Sequence, residues 1–213
     1  MRILGLDEAG RGSVLGPMVV GAYLVEAERL DDLAATGVTD SKKLSKKRRE
    51  ALIAPLTELG DARVRRISAA AIDAGNLNDL EEHAFVELIV DARPDRVIID
   101  APCNPRGIPK FKARLLARLA EPLGYEPELV VEPKADLNHT PCGAASIFAK
   151  VNRDRDVKAL EAGSGYPSDP KTRTWIKNFL IAEAPLPADV RTRWGTLDEL
   201  RAELAQQNLF PGE

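Results

Sequence analysis

The 213-residue chain has only two cysteines and two histidines. Cys103 and Cys142 stand far apart and in no C-x-x-C arrangement, which gives neither a disulfide framework nor a thiolate zinc motif, so both are expected as reduced thiols. With His83 and His139 the whole supply, a His-rich metal site is excluded and little room remains for a Ser-His-Asp arrangement. No apolar run approaches the roughly 20 residues of a membrane span. Too few apolar residues precede Asp7 and Glu8 for a secretion signal, so a cytoplasmic protein without a membrane partner is expected. An excess of positive charge is missing as well: the net charge is −3, whereas a basic balance is the usual footprint of nucleic-acid binding. The charge is uneven, however, with Lys42, Lys43, Lys46, Lys47, Arg48 and Arg49 clustered in one short stretch. Such a patch can hold phosphates even on an acidic chain. Carboxylates are abundant, so any catalysis falls to Asp and Glu.

The length suits one large domain, or one domain with an appendage. Arg2 to Asp7 reads as a strand, Met18 to Val25 as a second strand in mid-sheet, and Arg63 to Ser68 as a third, forming an antiparallel meander. Residues 40–56 read as a loop leading into a helix capped by Ser45. A helix over about 78–91, a buried strand Arg96 to Asp100, a helix over about 110–121, a strand Glu128 to Val131 and a helix over about 141–162 follow. This alternation predicts parallel strands joined by right-handed crossovers, hence an α/β fold with a mixed sheet. Beyond Gly163 the texture changes, with helices expected near 175–181 and 196–206. The reading is a main domain over 1–163 and a C-terminal helical extension over 164–213, without internal repeats.

The stretch "DEAGRG", Asp7 to Gly12, closes the first strand. Adjacent side chains of a strand point to opposite faces, so Asp7 and Glu8 can share one crevice only if the strand ends between them, a freedom that Gly10 and Gly12 supply. If the strand ending at Asp100 runs parallel beside the first, Asp100 is a third acid in that crevice, and Asp136, just beyond the next strand, a fourth. Singly, each acid has an ordinary explanation as a turn former, a helix cap or solvated surface. Together they repel one another unless a cation is present, and oxygen ligands without His or Cys select Mg²⁺ or Mn²⁺. Two such ions would clamp the attacking water and the leaving oxygen of a phosphodiester, which points to a nuclease. Ser146, Lys150 and Arg153 recur at i, i+4 and i+7 and form a polar stripe opposite Ala144, Phe148 and Val151, suited to successive phosphates or to plain solvent. Lys42 and Lys43 precede a helix whose dipole disfavours cations there, which favours phosphate contacts over plain surface charge. A dinucleotide fingerprint is weak here, because Leu15 stands where the third glycine would be needed, Gly16 comes one residue late, and no G-K-S or G-K-T follows.

The motifs "LDEAGRGSVLGPMVV", "TDSKKLSKKRRE", "NLNDLE", "VIIDAPC", "KAD", "AASIFAKVNRDR" and "GSGYPSDPKTRTWI", in this order, resemble ribonuclease HII, the type 2 ribonuclease H family, in its archaeal and eukaryotic-like branch. The resemblance covers nearly the whole chain. It implies a ribonuclease H-like fold, a five-stranded mixed sheet flanked by helices, and a four-acid site of Asp7, Glu8, Asp100 and Asp136 holding Mg²⁺ or Mn²⁺. It further implies cleavage of the RNA strand of RNA–DNA hybrids, and on the 5′ side of a single ribonucleotide in duplex DNA, leaving a 3′-hydroxyl and a 5′-phosphate. Gly10, Arg11 and Gly12 would read the 2′-hydroxyl largely through backbone groups, and Tyr166 would stack on the deoxyribose that follows. The stretch 137–142 departs from the pattern, which has an aromatic followed by proline, and His139 is expected as a surface residue. Some archaeal relatives end in a sliding-clamp-binding peptide; here the tail "QQNLFPGE" lacks the paired aromatics and has Phe210 alone. Two alternatives stay open: a junction resolvase of the same fold type, which would need neither the glycine-arginine-glycine element nor Tyr166, and a non-catalytic nucleic-acid-binding module. Nothing in the sequence asks for more than a monomer.

Overall fold

The computed structural model describes residues 1–209. Five strands, β1 (Arg2–Ala9), β2 (Met18–Glu26), β3 (Asp61–Ile67), β4 (Arg96–Asp100) and β5 (Glu128–Glu132), form one sheet in the order β3-β2-β1-β4-β5. The first three pair antiparallel, while β1 with β4 and β4 with β5 are parallel. The expected mixed α/β sheet is therefore present, and β1 lies at its centre. Nine helices accompany it among the described residues: α1 (Leu30–Ala35), α2 (Lys46–Leu59), α3 (Ala69–Ala74), α4 (Leu77–Ala92), α5 (Ile108–Leu123), α6 (Ala135–Asn138), α7 (Thr140–Lys158), α8 (Pro170–Ile181) and α9 (Gly195–Leu209).

Strand alternation sorts the core into two layers. Leu4 and Leu6 of β1, with Val97 and Ile99 of β4, pack on α4 and α5 through Phe85, Leu88 and Leu115. Ile3 and Ile98 face the other way, toward α2 and the buried α7. Helix α7 lies directly on the sheet because two strand positions lack side chains: a Cβ at Gly5 would stand 2.2 Å from the Pro141 carbonyl carbon, and one at Gly21 2.3 Å from the Ala145 oxygen. That contact brings α7 against the strand that carries Asp7.

Several boundaries moved for local reasons. The predicted cap holds, with Ser45 Oγ accepting from Arg48 N–H at 3.2 Å. Helix α8 starts five residues before Trp175, at Pro170, since Asp169 caps it and proline suits a first helical turn. Helix α7 stops at Lys158, and Glu161 and Gly163 follow with positive φ. The short helices α1, α3 and α6 were not predicted. Val14 and Leu15, in the loop after β1, pack with Ile176, Val190 and Leu197, so the C-terminal helices close over the end of the first strand. Phe210 and the sliding-clamp reading lie outside the described residues.

Candidate active site

Strand β1 does not end between Asp7 and Glu8 as expected; pairing continues to Ala9, with Asp7 opposite Gly21 and Glu8 opposite Val20. Alternation then decides the site. Asp7 shares the α7 side of the sheet with Asp100, while Glu8 faces the α4 side. Asp136, buried in α6 just after β5, completes a group of three: Asp7, Asp100 and Asp136 each place a carboxylate oxygen within 4.8 Å of the others. Glu8 is not in that group. It lies at the rim of an adjoining cleft of about 380 Å³, lined also by Gly10, Arg11, Gly12, Lys42 and Tyr166.

All three acids are raised chiefly by burial, and Asp7 and Asp136 also by neighbouring carboxylates. Burial raises Asp7 well above its usual pKa, helped by the neighbouring Glu8 and partly offset by the Ser146 hydroxyl. Asp136 is pushed up to about 6 by burial and by Asp100 and Asp40. Asp100 is raised by burial, although the Ala135 N–H, at 3.0 Å, favours its ionised form. A divalent cation would relieve all three at once, and an all-oxygen donor set fits a hard ion. Lys42 meets the same charge from the other sign: burial opposes its ammonium, yet Asp7, Asp40, Asp136 and Glu8 hold its pKa up.

Across the sheet, Glu8 is raised to about 8 by burial and by Glu81, with Arg11 opposing. Buried Glu81 on α4 is raised to about 7 by burial, although it pairs with the Arg11 guanidinium, which also bonds Asn78. The glycine turn itself is a tight one. Gly10 has φ 85°, a left-handed value suited to glycine, and its carbonyl accepts from Ser13 N–H at 3.3 Å and Ser13 Oγ at 2.8 Å.

The polar stripe of α7 needs correcting. Ser146, Lys150 and Arg153 do share one side of the helix, but that side is covered: Ser146 is 3% exposed and Arg153 1%. Ser146 Oγ lies 2.9 Å from Ser41 Oγ, close to Asp7. Arg153 lies beneath Tyr166, its guanidinium carbon 4.5 Å from the ring centre. Lys150 lines the cleft, 5.4 Å from the same ring and paired with Asp154 at 2.7 Å. Tyr166 is thus braced by two cations at the mouth of the cleft. Lys43 is exposed and does not line that cleft. His139, expected at the surface, is partly covered and has Nε2 3.1 Å from a Glu132 carboxylate oxygen.

Sequence reasoning missed three groups. Asp40 neighbours Asp136, and Glu81 neighbours Glu8. Arg191, in the segment before α9, is fully buried and reaches the carbonyls of Gly10, Arg11 and Gly16. Burial, with Arg153 nearby, lowers its pKa to about 10. No sequence period marks Arg191, because its partners lie some 180 residues away.

A family model described as Ribonuclease HII matches residues 4–197. Among curated relatives, Ribonuclease HII of Thermococcus onnurineus is 39% identical over 97% of this chain and 93% of its own. Ribonuclease HII of Methanothermobacter thermautotrophicus is 38% identical over 93% of this chain and 98% of its own. Among solved structures, ribonuclease H2 from Pyrococcus horikoshii superposes with a TM-score of 0.83 at 34% identity, covering 97% of this chain and all of that one. Ribonuclease HII of Archaeoglobus fulgidus, solved in complex with PCNA, gives 0.79 at 34% identity over 91% and 95% of the two chains. Bst-RNase HIII in complex with Mn²⁺ shares the fold, with a TM-score of 0.76 at 18% identity over 97% and 71%.

Proposed function

The chain belongs to the ribonuclease HII family, and from that premise we propose that it is an endoribonuclease acting on RNA–DNA hybrids and on the 5′ side of single ribonucleotides in duplex DNA, leaving 3′-hydroxyl and 5′-phosphate ends. The observation that carries the reading is the convergence of Asp7, Asp100 and Asp136 beside a cleft lined by the Gly10–Gly12 turn.

The residues divide the work. Asp7, Asp100 and Asp136 would hold Mg²⁺ or Mn²⁺, with Glu8 at the rim completing a second position. Two bound cations supply an activated water and charge neutralisation at the leaving oxygen. The Ala135 N–H fixes the Asp100 carboxylate, and Lys42 places positive charge where a scissile phosphate would lie. The backbone of Gly10, Arg11 and Gly12 meets the 2′-hydroxyl, the group by which RNA differs from DNA. Tyr166, braced on Arg153 and Lys150, offers a ring to the sugar that follows. Recruitment by a sliding clamp, as in the Archaeoglobus fulgidus complex, is a separate proposal that rests on that relative.

The test is a DNA duplex carrying one ribonucleotide, incubated with Mg²⁺ or Mn²⁺ and mapped at nucleotide resolution. The expected result is a single cut 5′ of the ribonucleotide, lost in Asp7→Asn and Asp100→Asn. No cutting by the native chain, or full cutting by either variant, overturns the reading. Cutting of all-DNA junctions instead supports a resolvase.

A further inference from the structure

Arg191 comes from the far end of the chain, yet it spends its whole guanidinium on the loop after β1. Nη2 lies 2.7 Å from the Gly10 carbonyl oxygen, Nη1 2.9 Å from that of Arg11, and Nε and Nη2 3.1 and 3.0 Å from that of Gly16. The peptide unit is planar and trans, so a carbonyl and the following N–H point in opposite directions. With the Gly10 carbonyl turned onto Arg191, the Arg11 N–H is turned away from it. With the Arg11 carbonyl held likewise, so is the Gly12 N–H. Neither N–H donates to an acceptor among the described residues, and all three turn residues line the cleft.

We propose that Arg191 is the positioning residue of the recognition turn: it binds the inner carbonyls so that the Arg11 and Gly12 N–H groups are presented together to the ribose. The inference rests on reading that turn as the 2′-hydroxyl reader. Other features fit this role. Arg191 has no carboxylate partner within salt-bridge distance among the described residues; its guanidinium carbon lies 5.0 Å from the centre of the Trp194 ring while its N–H groups go to the loop carbonyls, so its geometry rather than a paired charge is what the site uses. Its segment is anchored from outside, since Asp73 accepts from Thr192 N–H at 2.6 Å, Thr192 Oγ1 at 2.7 Å and Arg193 N–H at 3.3 Å. A lysine could not replace it, because one ammonium lacks the planar fork that spans carbonyls on both sides of the loop.

The test measures affinity, not turnover, in an Asp100→Asn parent, for a duplex with one ribonucleotide and for the same duplex as all-DNA. The ratio of the two affinities reports ribose selectivity. Arg191→Met should lower the ratio about tenfold, the worth of the presented hydrogen bonds, and Asp73→Asn should lower it less. A merely structural role would weaken both duplexes together and leave the ratio unchanged. A folded Arg191→Met protein, judged by its melting curve, that keeps the parent's ratio overturns the inference. Should that variant not fold, Arg191→Lys decides by the same ratio. A parent without any ribose preference removes the reading of the turn itself, and the inference falls with it.

Discussion

Replacing Gly12 with alanine separates what the fold needs from what a substrate needs. A Cβ at Gly12 meets no protein atom within 4 Å, and the residue does not have a left-handed φ. The fold therefore loses nothing, and the stiffer unfolded chain stabilises the protein by about 0.4–1 kcal/mol. For a chain of this size that raises Tm by about 1–4 °C. The effect on activity runs the other way. A 2′-oxygen bonded to the Gly12 N–H must come to about 2.9 Å, and a methyl on the adjacent carbon asks its neighbours to stay about 3.5–4 Å off. Losing that hydrogen bond alone costs about fivefold, and displacing the scissile phosphate can add up to about a hundredfold. The expected outcome is at least a roughly tenfold fall in kcat/KM on a single-ribonucleotide duplex, with an unchanged or higher Tm, read by gel-resolved cleavage and by thermal melting. Cleavage within about twofold of the native rate would show that the ribose does not approach this turn closely. A Tm several degrees lower would show that the space above Gly12 is not open.

Asp100→Asn should abolish cleavage and, by removing one of three crowded carboxylates, raise the metal-free Tm; a lower metal-free Tm, or Mn²⁺ stabilisation equal to that of the native chain, contradicts this. The metal-free protein should also melt lower at pH 8 than at pH 5.5. Glu8, at about 8, and Asp136, at about 6, keep protons in the fold that the unfolded chain releases near pH 4, so the folded state binds more protons and stability falls as pH rises through that window. Added Mg²⁺ should narrow the gap, and a flat metal-free profile would refute the assignment. Tyr166→Ala should weaken cutting at a single ribonucleotide more than in a long hybrid, measured side by side, because only the former needs the following deoxyribose; equal losses count against stacking.

Strands β1, β2 and β4 are legible because each carries a continuous apolar run, and the mixed character of the sheet follows from which connections carry helices; β3, Asp61–Ile67, is about half charged and gives a weaker signal. The short helices α1, α3 and α6 escaped because four to six residues show no period. The α7 stripe illustrates a different limit. Spacing correctly grouped Ser146, Lys150 and Arg153 on one side, but periodicity says which residues share a face, not which face is covered. Here the covering elements are the Ser41 segment over Ser146 and the loop after β1 and the Tyr166 segment over Arg153, which only tertiary structure brings there. Arg191 escaped for the same reason, since its partners are backbone atoms remote in sequence. Asp7, Asp100 and Asp136 were found because strand ends and the turn beyond β5 are local features.

Glu8 shows how the alternation rule itself decides between two sites. The strand was expected to break so that both acids could face one crevice; it continues, and the two side chains part to opposite sides of the sheet. Asp7 joins the acids on the α7 side, whereas Glu8 meets Glu81 and Arg11 yet still feels the charges of Asp100 and Lys42, so it borders both the proposed metal group and the turn. The proposed metal group and the proposed recognition turn are then separated by β1 alone, and the chain from Asp7 to Gly12 links them. Both ends of that link are held independently: Asp7 against Ser146 on α7, and the turn carbonyls by Arg191 from the C-terminal segment. Under the proposed function, a short, braced piece of backbone would set the distance between the cut phosphate and the ribose read by the turn.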